Sequence, residues 1–175
     1  MMLLEEELAL VERAKAGEKT AIGSLWDAIT PKLYGYLVHT LRDTHLAEDI
    51  LQETWLKAIR KIDQFQPRNV RFSAWLFAIA RNECREHWRK NKKTVVVDDT
   101  DIPDLFVVKE MSTDSIFVEE LLTGLDEEDR EILRLRYIAD LPFKEVARVL
   151  SISPIAARVR VHRALAKARS NIETT

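Results

Sequence analysis

Apolar residues recur every three to four positions along most of this chain, the period of amphipathic α-helices. The pattern predicts helices over Leu4 to Lys15, stopped by Gly17, over Thr20 to Ile29, ended before Pro31, and over Lys32 to Arg42. It continues over His45 to Ile62 and over Phe72 to Lys90. Toward the C-terminus it returns over Asp114 to Thr123, with Gly124 at the end, and then over a helix that Asp126 caps and that runs to about Ile138. Two last helices, Phe143 to Leu150 and Pro154 to Arg169, flank the tight link Ser151-Ile152. In the middle, Asn91 to Ser112 keeps no helical period and contains Val95-Val96-Val97 and Ile102-Pro103. The pattern therefore predicts an all-α chain of two small helical domains, an N-terminal bundle over 1–92 and a C-terminal domain over 113–175. A flexible linker over 93–112 joins them. The alternative for the middle stretch is a surface loop of one domain.

Composition narrows this picture. A chain of 175 residues has room for one or two small domains, and four glycines with five prolines are too few for a turn-rich all-β fold. The lone cysteine, Cys84, excludes an intramolecular disulfide and fits a reducing cytoplasm. No run of 18 apolar residues is present, so no membrane insertion is expected. The opening residues 1–7 (MMLLEEE) lack the basic start and apolar core of a secretory signal. The net charge of −2 conceals a division: residues 1–93 carry +3, residues 94–129 carry −11 and residues 130–175 carry +6. An acidic block between two cationic units suits a solvated linker.

The cationic end carries the sharpest pattern. Ser153 suits an N-cap and Pro154 a first helical position, where a missing N–H costs nothing. Two short helices joined by a tight link, the second cationic, suggest a helix-turn-helix that lays its second helix in a DNA major groove. At 100° per residue, Ala157, Val161, Ala164, Leu165 and Ala168 form a packing side. The other side presents Ile155, Val159, His162 and Arg163, with Ala156, Arg158 and Arg160 beside them. Ile155 and Val159 suit thymine methyls and Arg163 suits guanine O6 and N7. Arg158, Arg160 and Lys167 are placed for phosphates. The plain alternative is a solvated basic face. Against it stand Ala147, small at a close helix crossing, and the local core of Val146, Leu150 and Ile152.

Two other helices carry patterned surfaces. In Phe72 to Lys90, Arg81, Arg85 and Arg89 share a face, opposite Phe72, Leu76, Ile79 and Ala80. Trp75 and Asn82 flank it, next to a loop that supplies Phe65, Arg68, Asn69 and Arg71. Aromatics beside cations suit single-stranded DNA, and a polar loop suits a base taken out of the stack. A Trp on a helix is as readily a core residue. In His45 to Ile62, Ala47, Leu51, Trp55, Ala58 and Ile62 form the buried stripe, leaving Asp49, Gln52, Glu53 and Leu56 outward. An exposed leucine among carboxylates and an amide is a candidate docking point for a partner helix, although single exposed leucines are also ordinary.

These elements, in this order, resemble a bacterial RNA polymerase sigma factor of the extracytoplasmic-function (ECF) group. The resemblance rests on residues 47–58 (AEDILQETWLKA), 72–82 (FSAWLFAIARN) and 141–154 (LPFKEVARVLSISP), with Arg158, Arg160, His162, Arg163 and Ala164. Residues 12–17 (ERAKAG) look like the family's opening. The resemblance implies that Asp49, Gln52, Glu53 and Leu56 dock on the coiled coil of the polymerase β′ subunit. It implies that the helix from Phe72 and its preceding loop read the minus-ten promoter element, with one base flipped out. The C-terminal domain would read the minus-thirty-five element as duplex and touch the β flap. It also implies an anti-sigma partner. The chain departs from the family's pattern at Ser151, where a turn glycine is usual, and at Ile155 and Val159, where glycine and serine are common. The loop over Gln66 to Val70 lacks the family's common glycine.

Other functions have less support. A stand-alone helix-turn-helix regulator with an N-terminal effector domain would share the C-terminal pattern. For an enzyme, Glu83 and His87 lie four apart on one helix without a second such pair, and His39, His45 and His162 sit in separate elements. No phosphate-cradling glycine loop or nucleophile elbow occurs, so no catalytic residue, metal or cofactor is expected.

Overall fold

The computed structural model describes residues 3–67, 70–94, 122 and 124–173, and among them helices joined by short turns and loops make up all of the regular structure. Arg68, Asn69, nearly all of the expected linker, and the helix expected over Asp114 to Thr123 (apart from Leu122) lie outside the described residues. In the N-terminal half α1 is Leu4–Lys15, α2 Lys19–Leu41, α3 Thr44–Arg60 and α4 Phe72–Thr94, with a 3-10 turn at Ile62–Gln64. In the C-terminal half α5 is Glu127–Leu133, followed by a π turn at Arg134–Ile138, then α6, Phe143–Leu150, and α7, Pro154–Glu173.

Polar caps set three of these starts. Asp43 accepts from the Leu46 N–H at 3.0 Å, Asp126 from Asp129 at 2.9 Å, and Ser153 from Ala156 at 3.1 Å. Each cap satisfies a donor that has no partner inside its helix. The structure corrects the break expected before Pro31: α2 runs through it without interruption. Pro31 lies on the exposed side, whereas Ile29 and Leu33 are buried on the inner side. Packing of that side against α1 and α3 outweighs the roughly 3 kcal/mol that an interior proline costs. The helix expected to reach Ile138 as one α-helix instead widens into the π turn after Leu133, and Asp140 follows with φ 54°.

The link of the helix-turn-helix has a local cost. Ser151 ends α6 in the left-handed conformation, φ 56° and ψ 41°. A side chain there is disfavoured, whereas glycine enters freely. Ser151→Gly is therefore expected to stabilise the fold by about 0.5–1 kcal/mol, net of the entropy glycine gains when unfolded. The check is a higher urea midpoint at unchanged slope; an unchanged midpoint would show that the αL cost is already offset.

The N-terminal bundle closes over Val11, Leu25, Leu33, Leu37, Trp55, Phe72, Leu76 and Phe77, and the C-terminal half over Ile132, Leu135, Val146, Ala157, Val161 and Ala164. The two halves also pack against each other, α4 against α6 and α2 against the π turn. Ionic contacts cross this junction. Arg81 of α4 holds Glu131 of α5 with two bonds of 2.7 and 3.0 Å, both side chains largely buried, and Lys32 of α2 reaches Asp140 at 2.7 Å. Tyr36 is buried nearby in the fields of Glu131 and Arg81, its hydroxyl without a hydrogen-bond partner among the described residues, and burial pushes its phenol far above its ordinary pKa.

Candidate nucleic-acid interface

Helix α7 presents the two sides that its period predicts. Ala157, Val161, Ala164 and Ala168 are buried against α5 and α6, while Ile155 is 78% and Val159 50% exposed. Burial of the alanine side fixes the rotation of the helix and turns these two apolar residues outward. His162 and Arg163 are exposed on the same surface, and Ala156 is half-buried at its edge. The cations differ in their freedom. The Arg158 guanidinium sits 5.4 Å from the ring centre of Phe143, which Arg136 also approaches at 5.2 Å. Arg160 pairs with Glu128 at 3.3 Å, and Lys167 with both Asp126 and Asp129. The acidic first turn of α5 thus occupies two of the three cations expected at phosphates.

Helix α4 likewise buries Phe72, Leu76 and Ala80 and leaves Asn82, Arg85 and Arg89 exposed. Its first turns carry an aromatic cluster. Phe65 lies 5.5 Å edge-on to Phe72 and 5.4 Å from Trp75, and Trp75 lies 5.4 Å from Phe72. Phe65 is only 3% exposed, so its ring supports the cluster from beneath, and half-buried Trp75 keeps the open surface. Arg81, expected in the DNA stripe, instead faces the C-terminal half and holds Glu131. Arg71 stands at the loop's exit, paired with Glu7 at 3.2 Å. Trp88, not among the residues singled out from the sequence, is an exposed aromatic between Arg85 and Arg89. Its position three residues beyond Arg85 was the available signal.

Helix α3 buries Ala47, Leu51, Trp55 and Ala58, as its stripe predicts, and Asp49, Gln52 and Glu53 are exposed. Leu56 is 45% exposed, and Ile59, one turn further, widens the apolar spot. This face has acidic and amide groups around an apolar centre, which suits a helix bearing both apolar and basic residues. Cys84 is buried in α4 and burial pushes its thiol up to about 12, so it is not a thiolate near neutrality. Among the described residues no group of three His, Cys, Asp or Glu is arranged to hold a metal ion, and no helix is long and apolar enough to cross a membrane.

Two family models match the chain, Sigma-70 region 2 over residues 25–94 and Sigma-70, region 4 over residues 118–167. The chain is 34% identical over 137 residues to the ECF RNA polymerase sigma factor SigM of Bacillus subtilis, covering 75% of this chain and 83% of SigM. It is 32% identical over 165 residues to the RNA polymerase sigma factor CarQ of Myxococcus xanthus, covering 91% of this chain and 93% of CarQ. To the ECF RNA polymerase sigma factor BldN of Streptomyces coelicolor it is 30% identical over 165 residues, 90% of this chain, and it spans 62% of BldN. Its fold matches CnrH, solved in complex with the cytosolic domain of CnrY, with a TM-score of 0.75 at 24% identity over 97% of this chain and 98% of that one. It also matches RpoE of Bartonella quintana, solved with the anti-sigma factor NepR, with a TM-score of 0.68 at 23% identity over 86% of this chain and 96% of that one.

Proposed function

The chain belongs to the ECF RNA polymerase sigma factors, and from that premise we propose that it joins core polymerase in the cytoplasm and directs promoter-specific initiation without catalytic chemistry of its own. One observation carries this reading: three separate exposed surfaces of different chemistry stand on a single chain. The face of α3 around Leu56 docks on polymerase through Asp49, Gln52 and Glu53. Trp75, Asn82, Arg85 and Arg89 of α4, with the loop before it, take the single-stranded minus-ten element. Ile155, Val159, His162 and Arg163 of α7 enter the major groove at the minus-thirty-five element. Residues 1–92 and 113–175 then act as two reading domains. A stand-alone regulator is not favoured, because a region 2 match occupies the stretch where its effector domain would stand. CnrH was solved with the cytosolic domain of CnrY and RpoE with the anti-sigma factor NepR, and we extend to this chain a protein partner of the anti-sigma kind.

The two promoter elements lie about 25 base pairs apart, roughly 85 Å of duplex. A compact chain of this length has a radius of gyration of only about 16 Å. The packed halves cannot occupy both elements at once, so reading a promoter requires them to separate. Run-off transcription with core polymerase on a randomised promoter library tests the function directly. Specific initiation at a two-element motif is expected, and no stimulation over core enzyme would remove the proposal.

The state of the α7 cations makes a second expectation. If all five cations of α7 (Arg158, Arg160, Arg163, Lys167 and Arg169) neutralised phosphate charge, the log K against log salt slope would be about −4.5, and three of them would give about −2.7. With Arg160 and Lys167 held by carboxylates, the full chain on minus-thirty-five duplex is expected near the lower figure. Glu128→Gln frees Arg160 and is expected to steepen the slope by about 1. An unchanged slope in that variant would mean that DNA already displaces Glu128.

A further inference from the structure

Helix α4 carries an anion among the cations of its exposed stripe. Glu86 stands one turn before Arg89 and Lys90, and its Oε1 lies 3.8 Å from the Arg89 guanidinium and 3.5 Å from the Lys90 ammonium. Its other oxygen, Oε2, lies 3.9 Å from the Lys57 ammonium of α3. Lys57 has an anchor of its own, because the same ammonium donates to Glu83, one turn before Glu86. That bond is the better shielded of the two: the Glu83 side chain is 12% exposed and the Glu86 side chain 38%. Glu86 is thus shared, with one oxygen toward the cations of α4 and the other toward the docking helix. Exposed pairs of this kind add little to stability. A carboxylate among phosphate-binding cations matters in another way. It neutralises charge that a strand would otherwise meet, and left without a cation it repels the backbone. It therefore bears on how many phosphates α4 neutralises, which salt dependence counts.

We infer that Glu86 is a charge gate on the strand-binding face of α4 and that Lys57 is the positioning residue that opens it: when a strand takes Arg89 and Lys90, Lys57 receives the displaced carboxylate. The inference rests on the reading of α4 as the minus-ten helix. Lys57 acts from α3 through Glu86, and Glu83 keeps its ammonium in place whether the strand is present or absent. The exchange needs only a change in which Glu86 oxygen is paired, with α3 and α4 packed as they are. A plain staple between α3 and α4 differs in its consequence. It would make Lys57 matter to strand binding independently of the charge on Glu86, whereas a gate makes the effect of either residue depend on the other.

The test uses the full chain assembled with core polymerase and a single-stranded minus-ten oligonucleotide, with Kd measured over a range of salt. Lys57→Met is expected to weaken binding about fivefold and to flatten the log K against log salt slope by about 0.7, the share of one phosphate on a single strand. Binding to minus-thirty-five duplex is expected to stay unchanged. Adding Glu86→Gln to Lys57→Met is expected to restore both affinity and slope, and Glu86→Gln alone to change little. Lys57→Arg is expected to behave as wild type. Arg85→Gln is the reference variant for the reading of α4 and is expected to flatten the slope by a similar amount. If Arg85→Gln flattens it and Lys57→Met does not, the inference is overturned and the reading of α4 stands. If Arg85→Gln leaves binding intact, both are overturned. A loss in Lys57→Met that Glu86→Gln fails to repair would show a staple, or the loss of one distant charge, and would overturn the inference. Should Lys57→Met fail to fold, Lys57→Gln, which can still donate to Glu83, decides by the same comparison.

Discussion

Leu56→Asp is expected to reduce polymerase-dependent initiation by about 100-fold or more while leaving the chain folded. Leu56 is exposed on α3, so its replacement falls among the surface changes that alter stability by about 0.5 kcal/mol or less. Its expected weight lies in binding. It stands at the centre of a face rimmed by Asp49, Gln52 and Glu53 and extended by Ile59, the arrangement in which one apolar side chain carries much of the affinity. A carboxylate there, desolvated against a partner's apolar surface, adds a penalty to the lost burial, together about 3–4 kcal/mol, or between two and three decades in Kd. Asp49→Lys is expected to act more weakly and in a salt-dependent way, because a rim charge steers association more than it holds the complex. Titration of labelled core polymerase with each variant reads this, alongside run-off transcription. Wild-type binding by Leu56→Asp would move the docking surface off α3.

What the sequence made legible were the surfaces that one helix defines by itself. The outward sets on α3 and α7 follow from a 3.6-residue period, because burial of one side forces the other into solvent, and Ile155, Val159 and Leu56 are where that period puts them. Contacts between distant elements left no such trace. Arg81 fits the cationic stripe by spacing, yet its partner Glu131 lies 50 residues on, in the other half. Nothing along the chain marks Glu7 or Lys15, because the groups they hold are 66 and 50 residues away. Phe65 looked available to a base because nothing in its neighbourhood along the chain reveals that it supports Phe72 and Trp75. The Pro31 rule failed for a related reason. It is a local preference, and the packing of Ile29 and Leu33 is not local.

Glu131→Gln is expected to separate the two halves. Among the ionic contacts across the junction, Lys32–Asp140 is well exposed and contributes little. Arg81–Glu131 is doubly bonded and largely buried, and removing its carboxylate leaves a guanidinium without its charge partner. Discounted for partial exposure, about 1–2 kcal/mol moves the balance between packed and open chains by roughly 5- to 30-fold. Fluorophores on cysteines introduced at Glu48 and Ala166, both exposed, report the distance between halves, and energy transfer is expected to fall in the variant. Arg81 released from Glu131 joins the stripe of Arg85 and Arg89, so affinity for single-stranded minus-ten DNA is expected to rise in parallel.

The same junction is expected to respond to pH through Glu145. Burial raises its pKa, against the opposing influence of Arg148, of the Arg71 N–H and guanidinium, and of Lys144, and its Oε2 has no hydrogen-bond partner among the described residues. A carboxyl group whose pKa is raised in the packed state favours packing while it is protonated. That contribution is fully present below the ordinary glutamate pKa and is lost as pH rises through the raised value. Energy transfer in the wild-type chain is therefore expected to fall as pH rises above the ordinary glutamate range, and Glu145→Gln, neutral throughout, should abolish the Glu145-dependent part of that fall. Glu131 and Glu145 thus both bear on the packing of the halves, and if Arg81 joins the minus-ten surface as proposed, promoter DNA is expected to compete with Glu131 for it. If neither Glu131→Gln nor pH changes the distance, these two carboxyl groups do not hold the halves together, and the opening that a two-element promoter demands must then be driven by polymerase binding.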